Sequence, residues 1–209
     1  MKKILLIGGT GGLGSKIIKD FENEFECISV GSKICDVTDE VDEYLGSIDF
    51  DIVIYLSVKN IDGLIHKQTN ESITQQLNVN VFGFLNVLRS CTPMLREKGY
   101  GRIIYISSIL SKKPRTGTGI YSASKSFCES IIKTYSLENT KYGITSNSIQ
   151  LGYFDAGLIK KVPKDILKNV IDTIPQKRLG HPTEISNLIK TIIDTEYING
   201  TTITISGGL

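Results

Sequence analysis

The stretch that most limits how this chain can fold lies at its start. Lys3 to Ile7 is an apolar run of the kind a strand covered on both faces requires. GGTGGLG follows from Gly8 to Gly14, and a helical pattern then runs through Ile17, Ile18 and Phe21. Five glycines in seven residues let a turn close and let backbone N–H groups approach a pyrophosphate. The helix N-terminus beyond supplies the positive end of its dipole. Strand, glycine turn and helix in this order form the setting of a dinucleotide loop. Gly8, Gly12 and Gly14 fit G-x-x-x-G-x-G, while Gly8, Gly11 and Gly14 fit G-x-x-G-x-x-G, so the subgroup of loop stays open.

The rest of the chain repeats the alternation. Further strands are read at Glu26 to Val30, Ile34 to Val37, Asp51 to Leu56, Gly101 to Ser107, Ile144 to Leu151 and Thr201 to Ile205, about seven in all. Between them lie a short helix or turn over 39–46 and a long helix capped by Thr69 or Asn70, running to about Leu95 with an interruption at Pro93. A helix from Tyr121 to about Lys141 turns Phe127, Ile131 and Ile132 inward. Another, from Thr183 to Thr195, is capped by Thr183, with Ser186 and Asn187 on its polar face. Buried strands alternating with helices imply an α/β fold: a doubly wound parallel sheet of Rossmann type, helices on both faces, in a single domain. Ligands then lie at the carboxyl ends of the strands, where Gly8, Ser108 and Gly152 all fall. The irregular segment 152–181, after such an end, suits a substrate lid.

Ser108 closes one of these strands, Tyr121 comes thirteen positions later, and Lys125 four after that. On a helix the i,i+4 spacing stacks Tyr121 and Lys125 on one face. A fixed ammonium beside a phenol favours phenolate, and Ser108 can hydrogen-bond the same oxygen. A lone Tyr-x-x-x-Lys is usually a solvated pair. The glycine loop at the other end of the chain is what raises this one to a site for adding or removing hydride at a carbonyl carbon. Asn80, unfavourable by propensity in mid-helix, asks for a reason: either a local bulge or a satisfied polar residue.

After the second strand come Gly31, Ser32 and Lys33, with no acidic residue before Asp36. An acidic side chain there would repel a 2′-phosphate, so NADP(H) is favoured and NAD(H) remains possible. Net charge of +2 argues neither for nor against a nucleic-acid face, and no basic run suggests one, so no nucleic-acid partner is expected. Cys27, Cys35, Cys91 and Cys128 have no metal-ligand or redox spacing and His66 lies far from His181, so no metal site is expected; free thiols fit a reducing compartment. The opening MKKILLIGG has an apolar run too short for a signal peptide, and no window suits a membrane span. A soluble cytoplasmic protein is expected.

With these residues in place, the whole chain resembles the short-chain dehydrogenase/reductase family in its single-domain form. The loop at Gly8–Gly14, Asp36-Val37, Asn80, Ser108, Tyr121, Lys125, Gly152 and the terminal ING…SGGL fall in family order. The segment KRLGHPTEISNLI looks most like 3-oxoacyl-acyl-carrier-protein reductases. The resemblance implies a tetrad in which Tyr121 is the acid/base, Ser108 polarises the carbonyl, Lys125 binds the nicotinamide ribose and acidifies Tyr121, and Asn80 holds a relay water. It implies cofactor contacts from Gly8, Thr10, Gly12, Leu13, Gly14, Ser32, Lys33, Asp36, Val37, Ser57, Tyr121, Lys125 and Gly152. It also implies a small carbonyl or alcohol substrate and a homodimer or homotetramer joined through helices at about 70–98 and 121–141. The chain departs from the family pattern at Tyr55-Leu56-Ser57-Val58, Leu151, Ala156 and Ile7. The open subgroup of the glycine loop keeps in view an enzyme of this type acting on a modified or nucleotide sugar, and the departures at Tyr55–Val58 and Ala156 keep in view a non-catalytic NADP(H) sensor.

Overall fold

Apolar strands with branched side chains on both sides of the pleat can be buried only between two layers of helices, and that is how the chain folds. The computed structural model describes the backbone of residues 1–209 and all side chains except those at 158 and 161. Six strands form one sheet: β1 (Lys3–Ile7), β2 (Glu26–Val30), β3 (Ile52–Tyr55), β4 (Gly101–Ser108), β5 (Ile144–Leu151) and β6 (Thr202–Ile205). All neighbours are parallel, in the order β2-β1-β3-β4-β5-β6. The helices are α1 (Gly14–Phe21), α2 (Asp42–Gly46), α3 (Asn70–Leu77), α4 (Gly83–Lys98), α5 (Gly119–Asn139), α6 (Lys164–Thr173) and α7 (Pro182–Asp194), with a π-helical turn, Asn78–Phe82, between α3 and α4.

Period-two alternation divides the core. Leu5, Ile7, Val53, Tyr55, Ile103 and Tyr105 meet Phe84 and Val87 of α4 and Cys128 and Ile132 of α5. Ile4, Leu6, Ile52, Ile54, Ile104 and Ile106 meet Ile17 and Phe21 of α1 and Ile185 and Ile189 of α7. This three-layer packing fixes the carboxyl ends of β1, β4 and β5 along one rim.

Several local expectations change. Ile34 to Val37 is not a strand. Asp36 Oδ1 accepts from both the backbone N and the hydroxyl of Thr38, at 3.0 and 2.9 Å, which turns the chain instead of extending it. The sheet therefore has six strands and β2 is an edge. α4 continues through Pro93 to Lys98 because Leu88, Cys91 and Leu95 are buried on either side of it. The cap of α7 is His181, with Pro182 in the first turn and Glu184 completing a capping box, so Thr183 is not the cap. Ser186 is buried and donates to Asp20 at 2.6 Å, not part of a polar face. Phe127 is 46% exposed, because α5 commits Lys125, Cys128 and Ile132 to the interior and turns Phe127 outward. α5 itself begins at Gly119, two residues before Tyr121. The segment 152–181 is partly helical, holding a 3-10 turn (Gly157–Lys161) and α6.

Candidate active site

The glycine loop joins β1 to α1. Gly8 has φ +84°, and a Cβ there would lie 2.7 Å from Ser57 N, so glycine alone fits. At Gly14 a Cβ would lie 2.6 Å from Gly9 Cα, and its absence lets the start of α1 pack onto the turn. Leu13 occupies the N-cap position of α1 and offers no side-chain oxygen to the first turn. A helix N-terminus without a side-chain cap keeps its N–H groups for an anion. Ser57 thus packs on Gly8, and the Gly157 backbone lies against Gly12. The Thr10 side chain rests on Gly31, which sets Ser32 and Lys33, both exposed, beside the loop at the end of β2. Val37 packs against Gly83, and its carbonyl accepts from Asn86 Nδ2 at 3.1 Å. Asp36 is engaged with Thr38.

At the other end of the cleft, Ser108 is the last residue of β4, and its Oγ accepts from Leu110 N at 3.2 Å. Tyr121 lies in the first turn of α5, with Lys125 one turn on. Burial raises the Tyr121 phenol above its ordinary value; the Ser108 hydroxyl opposes this and the Asp62 carboxylate adds to it. Lys125 is 3% exposed, and burial pulls its ammonium down to about 8, with Cys128 and Glu129 acting in the opposite direction. Its Nζ donates to Ile106 O at 2.7 Å and sits 4.6 Å from the Tyr105 ring centroid and 5.8 Å from that of Tyr121.

Asn80 lies in the π turn, fully buried. Its Oδ1 accepts from Lys59 N at 2.8 Å, and its Nδ2 donates to Lys59 O at 2.8 Å and to Ser124 Oγ at 3.1 Å. The side chain thus ties the loop after β3 to α5, while its backbone carbonyl accepts from the Cys128 thiol at 3.2 Å. The widened turn also exposes Val79 O, which Tyr55 Oη reaches at 2.6 Å. Tyr55 is therefore structural: it stacks on Tyr105 and pins the bulge that carries Asn80. Gly152 follows β5, and its N donates to Ile205 O at 2.9 Å.

Reading the sequence missed the layer behind this site. Glu129 on α5 is buried; Gln150 Nε2 donates to both of its oxygens at 2.9 and 3.0 Å, and Ser107 Oγ donates to Oε1. Gln150 also donates to Ser111 Oγ at 2.8 Å and accepts from Thr204 at 2.8 Å. The signal was present as polar residues in a fully buried strand, Ser146, Asn147, Ser148 and Gln150. Among the described residues no cluster of His, Cys, Asp or Glu could hold a metal ion, and no helix is long and apolar enough to cross a membrane.

Residues 28–209 match the family described as enoyl-(acyl carrier protein) reductase. An acetoacetyl-CoA reductase of Shinella zoogloeoides is 31% identical over 172 residues, 81% of this chain and 70% of that one. The 3-oxoacyl-[acyl-carrier-protein] reductase MabA of Mycobacterium avium is 26% identical over 230 aligned positions, covering 100% of this chain and 89% of its own. Among solved structures, a 3-oxoacyl-[acyl-carrier protein] reductase from Brucella melitensis superposes with a TM-score of 0.90 at 21% identity, over 100% of this chain and 91% of that one. A small-chain dehydrogenase in complex with NADPH superposes equally well, with a TM-score of 0.90 at 22% identity over 99% of this chain and 97% of the other.

Proposed function

This chain belongs to the short-chain dehydrogenase/reductase family of NAD(P)-dependent oxidoreductases, and from that premise we propose that it is an NADP(H)-dependent reductase of 3-oxoacyl-type carbonyls. The observation that carries the reading is the placement of Ser108, Tyr121 and Lys125 at the end of β4 and the start of α5, on the same rim as the glycine loop. The cofactor fits the residues present. The cradle at Gly8 and Gly14 has no room for a Cβ, and the uncapped start of α1 receives pyrophosphate. Ser32 and Lys33 hold the 2′-phosphate, in keeping with NADPH in the solved relative. When bound, the nicotinamide supplies the hydride.

The chain's own groups do the rest. Ser108 Oγ orients the substrate oxygen, and Tyr121 gives it a proton. A phenol raised by burial keeps its proton at neutral pH, which suits a general acid in the reducing direction. Lys125 has two N–H donors beyond the one given to Ile106 O, and these hold the ribose. Asn80 serves by fixing the bulge and the loop at Lys59. The segment 152–181 closes over the substrate as a lid. We place the protein in the cytoplasm, where its free thiols stay reduced. It acts as a homodimer or homotetramer, and the exposed Phe82, at the end of the π turn before α4, and Phe127 on α5 support that assembly.

The test is cofactor oxidation with acetoacetyl-CoA, run in parallel with NADPH and NADH, for the parent and Tyr121→Phe. Turnover with preference for NADPH, abolished in the variant, is expected. Tight NADPH binding without turnover across a broad carbonyl panel would leave a sensor as the better account.

A further inference from the structure

Lys125 and Glu129 are one helical turn apart on α5, and both are buried, 3% and 7% exposed. The Glu129 oxygens both accept from the Gln150 amide, whose nitrogen is donor-only. That pattern is satisfied by a carboxylate. An interior carboxylate with only neutral hydrogen-bond partners is costly unless a cation stands nearby. Several groups face the Lys125 ammonium. They are Tyr121, Cys128 and Glu129 on its own helix and, from β4, the Tyr105 ring and the Ile106 carbonyl. Both phenols are raised by burial, and the Cys128 thiol is pushed up to about 11, so all three are uncharged near neutral pH. Among the described residues this leaves Glu129, one helical turn away and buried with neutral partners, as the anion whose charge acts on Lys125, without an ion pair of 4 Å or less between them.

The same carboxylate anchors the turn after Ser108. Ser107 donates to it from β4, and Gln150 passes the connection on to Ser111 Oγ. Ser126 Oγ donates to Ser111 O at 2.7 Å from α5. β4, β5 and α5 are therefore joined at one buried point directly behind Ser108 and Lys125.

We propose that Glu129 is a positioning residue that keeps Lys125 in its ammonium form and locks the Ser108 turn onto α5. This rests on the reading of Lys125 as a working group of the site, but it is tested without substrate or cofactor. Failure of the reductase assignment would therefore leave its outcome untouched.

The experiment labels lysine with ¹³C at Cε, assigns Lys125 by its disappearance in Lys125→Met, and titrates parent and Glu129→Gln protein. The Lys125 midpoint should fall by roughly one to two pH units in the variant, as loss of a unit charge one helical turn away in a buried setting implies. A role in packing alone moves it the other way, because water entering a loosened site raises a desolvated lysine toward its ordinary value. Glu129→Met removes the charge without setting a second amide against Gln150, and the same fall is expected should Glu129→Gln misfold. Glu129→Asp, which restores the carboxylate, should return the midpoint most of the way. An unchanged or raised Lys125 midpoint in either folded uncharged variant overturns the proposal.

Discussion

At the glycine-loop end of the cleft, backbone meets backbone: Gly8 against Ser57, Gly14 against Gly9, and an α1 start with no side-chain cap. At the α5 end the contacts are made by side chains, some held by other side chains and some by backbone: Asn80 on Ser124 and Lys59, Glu129 on Ser107 and Gln150, Lys125 on Ile106 O and over Tyr105. One end works by leaving room, the other by filling it with satisfied polar groups. The first tolerates no added atom. The second tolerates changes of shape better than changes of charge or hydrogen bonding.

Substitutions probe that contrast directly. The largest effect belongs to the filled end. Tyr121→Phe removes one oxygen and should lower kcat about 10²–10⁴-fold while NADPH affinity, read by fluorescence titration, changes little. At the empty end Gly14→Ala should do the reverse. It adds one carbon within 2.6 Å of Gly9, destabilising the fold by roughly 1–3 kcal/mol in urea unfolding and weakening NADPH binding at least tenfold. Equal losses of kcat and affinity in both variants would erase the distinction. Asn80→Ala empties a fully buried position with three hydrogen bonds and should cost about 2 kcal/mol of stability. Tyr55→Phe leaves Val79 O without its donor and should cost about 1 kcal/mol, confined to the π turn.

The smallest effect lies outside the cleft. Glu184 caps α7 and pairs with Arg178 at 2.8 Å, and that pair first, then the His181 N–H, holds its carboxyl down to about 2. Its contribution is full above the ordinary carboxylate range and is lost as pH falls through about 2. Glu184→Gln should therefore be slightly less stable than the parent at pH 7 and indistinguishable from it near pH 2, by thermal unfolding. Its partly exposed setting keeps the difference small.

The parts legible in the sequence were those written in local pattern. Apolar runs and glycine spacing specify the sheet, the loop and the first helix, and the Ser108, Tyr121, Lys125 spacing marks the α5 end. Asn80 was legible as an anomaly, and the π turn supplies its physical reason. Hidden were features that depend on residues remote in the chain. Ile34 to Val37 has strand propensity, but Asp36 folds back onto Thr38. Glu129 looks like a surface residue until Gln150 arrives from β5. Phe127 fits an inward helical stripe, yet α5 spends that side on a lysine and a thiol instead.

Because Ile34 to Val37 does not extend the sheet, β2 is one of its two rims, bonded on one side only, to β1, as β6 at the other rim is to β5. Its outward-facing amides meet no neighbouring strand, whereas those of β4 are shared with β3 and β5. Deuterium should therefore enter at the two rims first, β2 on the adenosine side and β6 at the far side, through local fraying, and reach the strand that carries Ser108 only when the whole domain opens. The floor under the adenosine would then breathe while the groups that move the proton stay still, so that a bound cofactor is gripped most firmly by its reactive half.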